Sequence, residues 1–220
     1  MALDKDIVGS IEFLEVEGLQ GSTYLLKGPN GEQVKLNQSE VADEDEFEIG
    51  EEYSFFVYPN RSGELFATQN MPDITKDKYD FAKVLKTDRD GARIDVGLPR
   101  EVLVPWEDLP KIKELWPQAG DYLLVTLRID SNNQMFGRLA SETIVEGMFT
   151  PVMDDSKQNE MIEARAYRLL RVGSFLLSKD GYKIFVHESE RKSEPRLGEK
   201  LEVRIIGHNE NGELNGSFYH

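Results

Sequence analysis

The stretch Gly91-Ala92-Arg93-Ile94-Asp95-Val96-Gly97-Leu98-Pro99-Arg100-Glu101-Val102-Leu103-Val104-Pro105 decides the fold, because its plan returns elsewhere in the chain. Upstream lie Ala82-Lys83-Val84-Leu85-Lys86 and Arg89; within it, an extended run reaches Val96, Gly97 turns, and Val102-Leu103-Val104 is apolar. A shift of 82 positions finds Ala164-Arg165-Ala166-Tyr167-Arg168, Arg171, Gly173, Phe175-Leu176-Leu177, a turn near Gly181 and Ile184-Phe185-Val186, without an insertion. Further on, Gly120-Asp121-Tyr122-Leu123-Leu124-Val125 parallels Gly198-Glu199-Lys200-Leu201-Glu202-Val203, and Gly50-Glu51-Glu52-Tyr53-Ser54-Phe55-Phe56-Val57 makes a third copy. The period is too long for a solenoid and suits a small domain. The sequence therefore predicts three domains in series: 1–71, 72–143, and a linker with the third domain over 144–220.

Copies of roughly 70 residues have thin cores. With no cysteine among the 220 residues, neither disulfides nor thiolate metal sites staple them, and a reducing compartment fits. The start Met1-Ala2-Leu3-Asp4-Lys5-Asp6 lacks a basic and apolar leader, and no apolar run reaches membrane-spanning length. A soluble, cytoplasmic protein is expected. The chain carries 26 Lys and Arg against 41 Asp and Glu, a net charge of −15, which argues against indiscriminate nucleic-acid binding. The acid is concentrated: residues 1–71 hold 4 basic and 15 acidic side chains, whereas 72–143 and 144–220 each hold 11 and 13.

In chain order, Ile7 to Glu17 is close to alternating. Gly18 and Gly21 frame a turn before Ser22-Thr23-Tyr24-Leu25-Leu26, and Gly28-Pro29-Asn30-Gly31 returns the chain into Gln33-Val34-Lys35-Leu36. The acids between Glu40 and Glu48 lack the Asp-x-Asp-x-Asp-Gly order of a calcium loop and read as a solvated connection. Tyr53 to Tyr58 and Glu64 to Thr68 form a hairpin through Pro59 to Gly63. In the second copy Asp108 is expected to cap a short helix from Pro110, placing Leu115 and Trp116 against an open barrel end. Trp106 is placed at the mouth of the binding face. Thr143 to Met161 reads as an irregular linker, and Asn211-Gly212 as a type I′ hairpin turn. Five short strands per copy, with a helical or irregular link after the third, predict an all-β chain of three tandem five-stranded OB-fold barrels. That fold permits oligonucleotide binding without proving it.

Phe175, two positions after Gly173, and Phe185-Val186-His187-Glu188-Ser189-Glu190 resemble the Gly-Ala-Phe-Val-Asp and Leu-Val-His-Ile-Ser-Glu pattern of the ribosomal protein S1 type RNA-binding domain. The second copy keeps the frame but has Arg93 at the exposed Phe position and Pro105 at the His position. The first copy keeps only the outline, in Gly21-Ser22-Thr23-Tyr24 and Val34-Lys35-Leu36-Asn37. Three such domains, the first acidic and degenerate, resemble the bacterial conserved virulence factor B family. The resemblance implies regulation of gene expression, virulence genes included. It also implies a winged-helix domain after the third barrel, which does not follow here.

The chemistry stands beside the resemblance. Bases stack on Phe and Tyr while Lys and Arg neutralise phosphates, and both must project from one face. In the third copy Arg165, Tyr167, Phe175, Lys183 and His187 are the candidates, provided that odd positions face outward. Leu177 and Phe185 share those faces, which leaves open an inversion or a bulge, and ordinary core packing remains the alternative for Phe175. A lone histidine is ordinarily structural, so His187 carries both readings. His187, His208 and His220 are not at zinc-ligand spacing. In the second copy Lys83, Arg93 and Arg138 form the analogous basic set, with Trp106 for stacking.

No nucleophile elbow, zinc-protease motif or phosphate loop occurs, and Asp154-Asp155 has nothing apolar beside it to raise a pKa. No cofactor and no enzymatic activity are expected. The sequence thus supports a single-stranded RNA binder working through its second and third domains, against a protein-interaction scaffold in which the acidic first domain makes the contact.

Overall fold

The computed structural model describes residues 7–42 and 46–220. Met1 to Asp6, and Asp43 to Asp45 of the acidic connection, lie outside the described residues.

The described residues form three closed five-stranded barrels. The first uses β1 (Ile11–Gln20), β2 (Thr23–Lys27), β3 (Gln33–Asn37), β4 (Glu52–Pro59) and β5 (Leu65–Thr68). The second uses β6 (Asp80–Asp88), β7 (Gly91–Asp95), β8 (Val102–Pro105), β9 (Tyr122–Ile129) and β10 (Met135–Leu139). The third uses β11 (Met161–Leu170), β12 (Gly173–Ser178), β13 (Lys183–His187), β14 (Lys200–His208) and β15 (Leu214–Ser217). In each, the first three strands are neighbours in order and the fifth lies between the third and fourth. The third and fifth strands run parallel and the other pairs of the first and third barrels antiparallel, as the OB plan requires. Two compact units divide the chain, one of residues 1–80, 95–103 and 126–138, the other of 81–94, 104–125 and 139–220. The first barrel falls in the former, the third in the latter, and the strands of the second contribute to both.

Alternation gives each barrel its core. Leu14 and Val16, Leu26, Val34 and Leu36, and Phe55 and Val57 point into the first; Ile162, Ala164 and Ala166, Leu176, Ile184 and Val186, and Val203 and Ile205 into the third. Full burial of a Leu, Ile or Phe side chain contributes about 1.5–3 kcal/mol, so a handful of inward residues per strand pair sustains a domain this small.

The repeated glycine has a steric cause. A Cβ on Gly91 would stand 2.1 Å from the carbonyl oxygen of Val104, and one on Gly173 2.6 Å from that of Val186 and 2.4 Å from the Phe185 ring. In both copies the second strand begins too close to the third for a side chain. The last hairpin also repeats to the level of individual bonds. Asn60, Asp130 and Asn209 each accept two backbone N–H groups through Oδ1, and Gly63, Asn133 and Gly212 follow three residues later with positive φ. These are three-residue loops, a type I turn closed by a left-handed residue. They correct the type I′ turn expected at Asn211-Gly212, which needs two left-handed residues: Gly212 has a φ of 84°, and Asn211 is not among the positive-φ residues.

Two further expectations are corrected. Pro105 to Gln118 contains no α-helix but two 3₁₀ turns, Trp106–Asp108 and Lys113–Leu115. Trp116 is half-buried rather than a plug, its indole N–H donating to the Pro110 carbonyl at 2.6 Å to close its own loop. The linker is not irregular at its start either. Ser141 caps a short helix, α1 (Glu142–Glu146), by accepting from the Ile144 amide. Among the described residues no helix is long and apolar enough to cross a membrane.

Candidate nucleic-acid interface

The face to be tested is the outer surface of β11, β12 and β13. Ser174, Leu176, Ile184 and Val186 are buried inward, so Phe175, Phe185 and His187 stand outward, in the phase expected from odd numbering. Phe175 pairs across the strands with Phe185, ring centroids 4.8 Å apart. Tyr167 lies 6.3 Å from Phe175 on one side, and His187 6.3 Å from Phe185 on the other. Four rings thus cross three strands as a ladder, Tyr167, Phe175 and Phe185 half-buried and His187 exposed. Flat faces held by the sheet lose little conformational freedom when bases stack on them.

Phe185 belongs to this ladder although sequence reasoning treated it as a puzzle of phase; its spacing from Lys183 and His187 was the available signal. Arg168 was missed for another reason. A bulge in β11 sets Ala166 opposite Leu176 and Arg168 opposite Phe175, leaving Tyr167 extra. The bulge delivers two successive residues to one face, and the Arg168 guanidinium lies 5.5 Å over the Phe175 ring. Even numbering would have sent it inward.

His187 makes a structural hydrogen bond while its ring stays open to solvent. It is exposed, and its Nδ1 accepts the Ser189 amide at 3.2 Å, capping the turn Glu188–Glu190. With Nδ1 accepting, the neutral ring carries its proton on Nε2, pointing away from that bond.

Lys183 corrects the sequence reading. It shares the outward phase but is 2% exposed, covered by the segment that contains α1. Its ammonium donates to Glu142 and Glu146 of α1 and to Glu213 at 2.8 Å, and lies 5.2 Å over Phe175 and 5.8 Å over Phe149. Burial works against its charge, but the three carboxylates outweigh it and hold the lysine above its ordinary range. Leu177, opposite Lys183 in the register, is buried too. The linker has covered one end of the face, leaving no phosphate access to this cation. Glu142 also receives Arg168 at 3.1 Å and the Tyr167 hydroxyl at 3.3 Å. Burial would raise the Glu142 pKa, yet hydrogen bonds and charge from Lys183 and Arg168 bring it below the ordinary value. The Tyr167 phenol is pushed up, by burial first and then by the Glu142 charge.

Arg165 does not join the ladder. Its guanidinium stacks 4.3 Å over the Tyr122 ring and donates to the Gly198 carbonyl at 3.1 Å, which makes it a strut.

The second barrel presents a different surface. At the position of Phe175 stands Arg93, half-buried and paired with Asp88 at 3.1 Å and Asp90 at 3.3 Å. The Asp90 amide, and then Arg93, hold the Asp88 carboxyl below its usual range. Lys83 is exposed on β6, Trp106 is 53% exposed just after β8, and exposed Arg138 lies 5.3 Å over Phe136. No aromatic ladder links them, since Leu85, Leu103 and Pro105 stand where the third barrel has Tyr167, Phe185 and His187. The first barrel's outward positions on β3 are Gln33, Lys35 and Asn37, and Lys35 is bridged to Glu64.

The family profile described as an S1 domain matches residues 8–70, that of the CvfB first S1-like domain 79–138, and that of the virulence regulatory factor CvfB second domain 148–219. A protein named conserved virulence factor B from Staphylococcus epidermidis is 91% identical over 99% of this chain and 73% of its own length. Its namesake from Staphylococcus aureus USA300 is 84% identical over the same shares. A crystal structure described as a multidomain protein with nucleic acid binding domains, from Streptococcus pneumoniae, superposes with a TM-score of 0.86 at 29% identity, covering 98% of this chain and 75% of that one.

Proposed function

This chain belongs to the conserved virulence factor B family, and from that premise we propose that it is a non-catalytic, cytoplasmic RNA-binding regulator of gene expression, virulence genes included. Its domains are 1–71, 72–143 and 144–220, and the third makes the principal grip on single-stranded RNA. The observation that carries this reading is the ladder Tyr167, Phe175, Phe185 and His187, four rings on one sheet face with Arg168 beside them. Bases stack on the rings and Arg168 meets the phosphates, once it is released from Glu142. In the second barrel, Trp106, Lys83, Arg93 and Arg138 supply a weaker, mainly electrostatic contact. The nucleic-acid binding domains named for the pneumococcal structure support the same class of ligand.

The test is titration of a fluorescent single-stranded RNA of mixed sequence, over a range of salt, beside a duplex DNA control. RNA binding whose log K falls linearly with log salt, by about 0.7 per neutralised phosphate, is expected. Equal affinity for duplex DNA, or no binding at low salt, would sink the proposal.

A second role, protein contact by the first barrel, is favoured by Phe13, 68% exposed on β1 of the most acidic region. A partner retained through nuclease and high salt, and lost on Phe13→Ser, is its expected signature.

A further inference from the structure

Next to the ladder, within residues 104–125 and 139–220, lies a groove of about 700 Å³ that neither the family descriptions nor the S1 motif assigns. We propose that the RNA strand held on the ladder continues into this groove, an inference that rests on the RNA-binding reading above.

Three observations carry it. The groove is continuous with the ladder: Tyr167 and Arg168 line both, and Glu188, also in the lining, follows His187. Its floor is apolar, with Leu115, Leu139 and Leu169, and Ile112 at 55% exposure on the rim. Such a surface takes bases and ribose, whereas a purely ionic site would not need it.

The third observation is charge. In a chain of net −15, cations such as Arg93, Lys183 and Arg196 are bound to carboxylates. In the groove, Lys111 and Arg171 are exposed and meet no carboxylate among the described residues. Among the described residues Arg191 donates to neutral groups, the Ser174 hydroxyl at 2.6 Å and the Arg171 carbonyl at 3.2 Å, and makes no ion pair. Asp108, Glu188 and Glu194 also line the groove, so the cations do not make a purely basic patch. Cations in a concave, partly apolar wall focus the field on an anionic chain. A strand with phosphates at Lys111, Arg171 and Arg191 and bases on the leucines uses both the charged and the apolar lining.

The test compares oligouridylates of 4 and 10 nucleotides on the full chain. Lys111→Gln with Arg171→Gln should weaken the longer probe about tenfold and flatten its salt slope by about 1.4, two phosphates' worth, while leaving the shorter probe unchanged. Because the chain has no cysteine, Ile112→Cys carrying a photo-crosslinker reports independently: it should capture the longer probe and not the shorter. An unchanged longer probe without crosslinking overturns the groove as part of the path, and loss of an acidic peptide from the same double variant would overturn it in favour of a protein ligand. The two readings fail separately. If Phe175→Ala with His187→Ala weakens the shorter probe while the groove variant leaves the longer one intact, only this inference falls. If neither probe responds to the ladder variant, both fall.

Discussion

At the scale of single residues, the ladder and the two repeated glycines make opposite predictions. Phe175 and Phe185 are half-buried on an outer face, so truncating either removes stacking area without opening the core. Each alanine variant should weaken binding of a short single-stranded RNA by about 1–3 kcal/mol and leave the fold intact, as read by fluorescence anisotropy beside circular dichroism. Gly173 behaves otherwise. Its missing Cβ would stand 2.4 Å from the Phe185 ring and 2.6 Å from the Val186 carbonyl. Gly173→Ala should cost about 1–3 kcal/mol in urea unfolding, the usual penalty of overpacking, and weaken RNA binding secondarily because Phe185 is pushed off its rotamer. A glycine variant with wild-type stability would show that strand spacing relaxes freely there. His187 divides the two behaviours, since its Nδ1 holds a turn while its Nε2 edge is exposed.

At the scale of elements, α1 governs how much of the face is open. Glu142 and Glu146 bind Lys183, and Glu142 also takes Arg168, the cation best placed for phosphate. Glu142→Gln should release Arg168 and tighten RNA binding several-fold at low salt, measurable by the same titration. Lys183→Met is the converse case. It leaves three partly exposed carboxylates facing one another without their cation and should lower the urea midpoint, by less than loss of one partner in a fully buried pair would. The pH dependence follows from the depressed pKa values of Glu142 and Glu213, both lowered by Lys183 against burial. Their contribution is complete above the ordinary value of 4.5 and is lost as pH falls through the lower folded values. Acid unfolding of the third barrel should therefore be steepest below that value, and Lys183→Met should flatten it. An unaltered acid limb would mean that other carboxylates dominate.

At the scale of the whole molecule, charge is divided unevenly. Residues 1–71 carry 15 acidic against 4 basic side chains, whereas the aromatic ladder lies on the third barrel. An acidic barrel on a polyanion-binding chain repels the ligand over about a Debye length, roughly 10 Å at 0.1 M salt. Replacing exposed Glu17, Glu51 and Glu52 by Gln should raise the RNA association rate at low salt and leave affinity nearly unchanged at physiological salt, by stopped-flow fluorescence. An effect that persists at high salt would place those residues in contact with the RNA.

The sequence alone determined the three barrels and offered an odd-numbered outward phase for Phe175 and His187, leaving Phe185 open, because strand count and alternation follow from local rules. A period of 82, glycines at fixed offsets and two-residue alternation are set by backbone geometry and survive without knowledge of distant contacts. What covers a face is not local. The burial of Lys183 under α1, the stacking of Arg165 on Tyr122 and the turning of Arg168 outward by a one-residue bulge depend on segments tens of residues away or on pairing register. Only the tertiary structure decided which outward side chains solvent can reach, since exposure is a property of everything packed against a residue and not of its place in a strand.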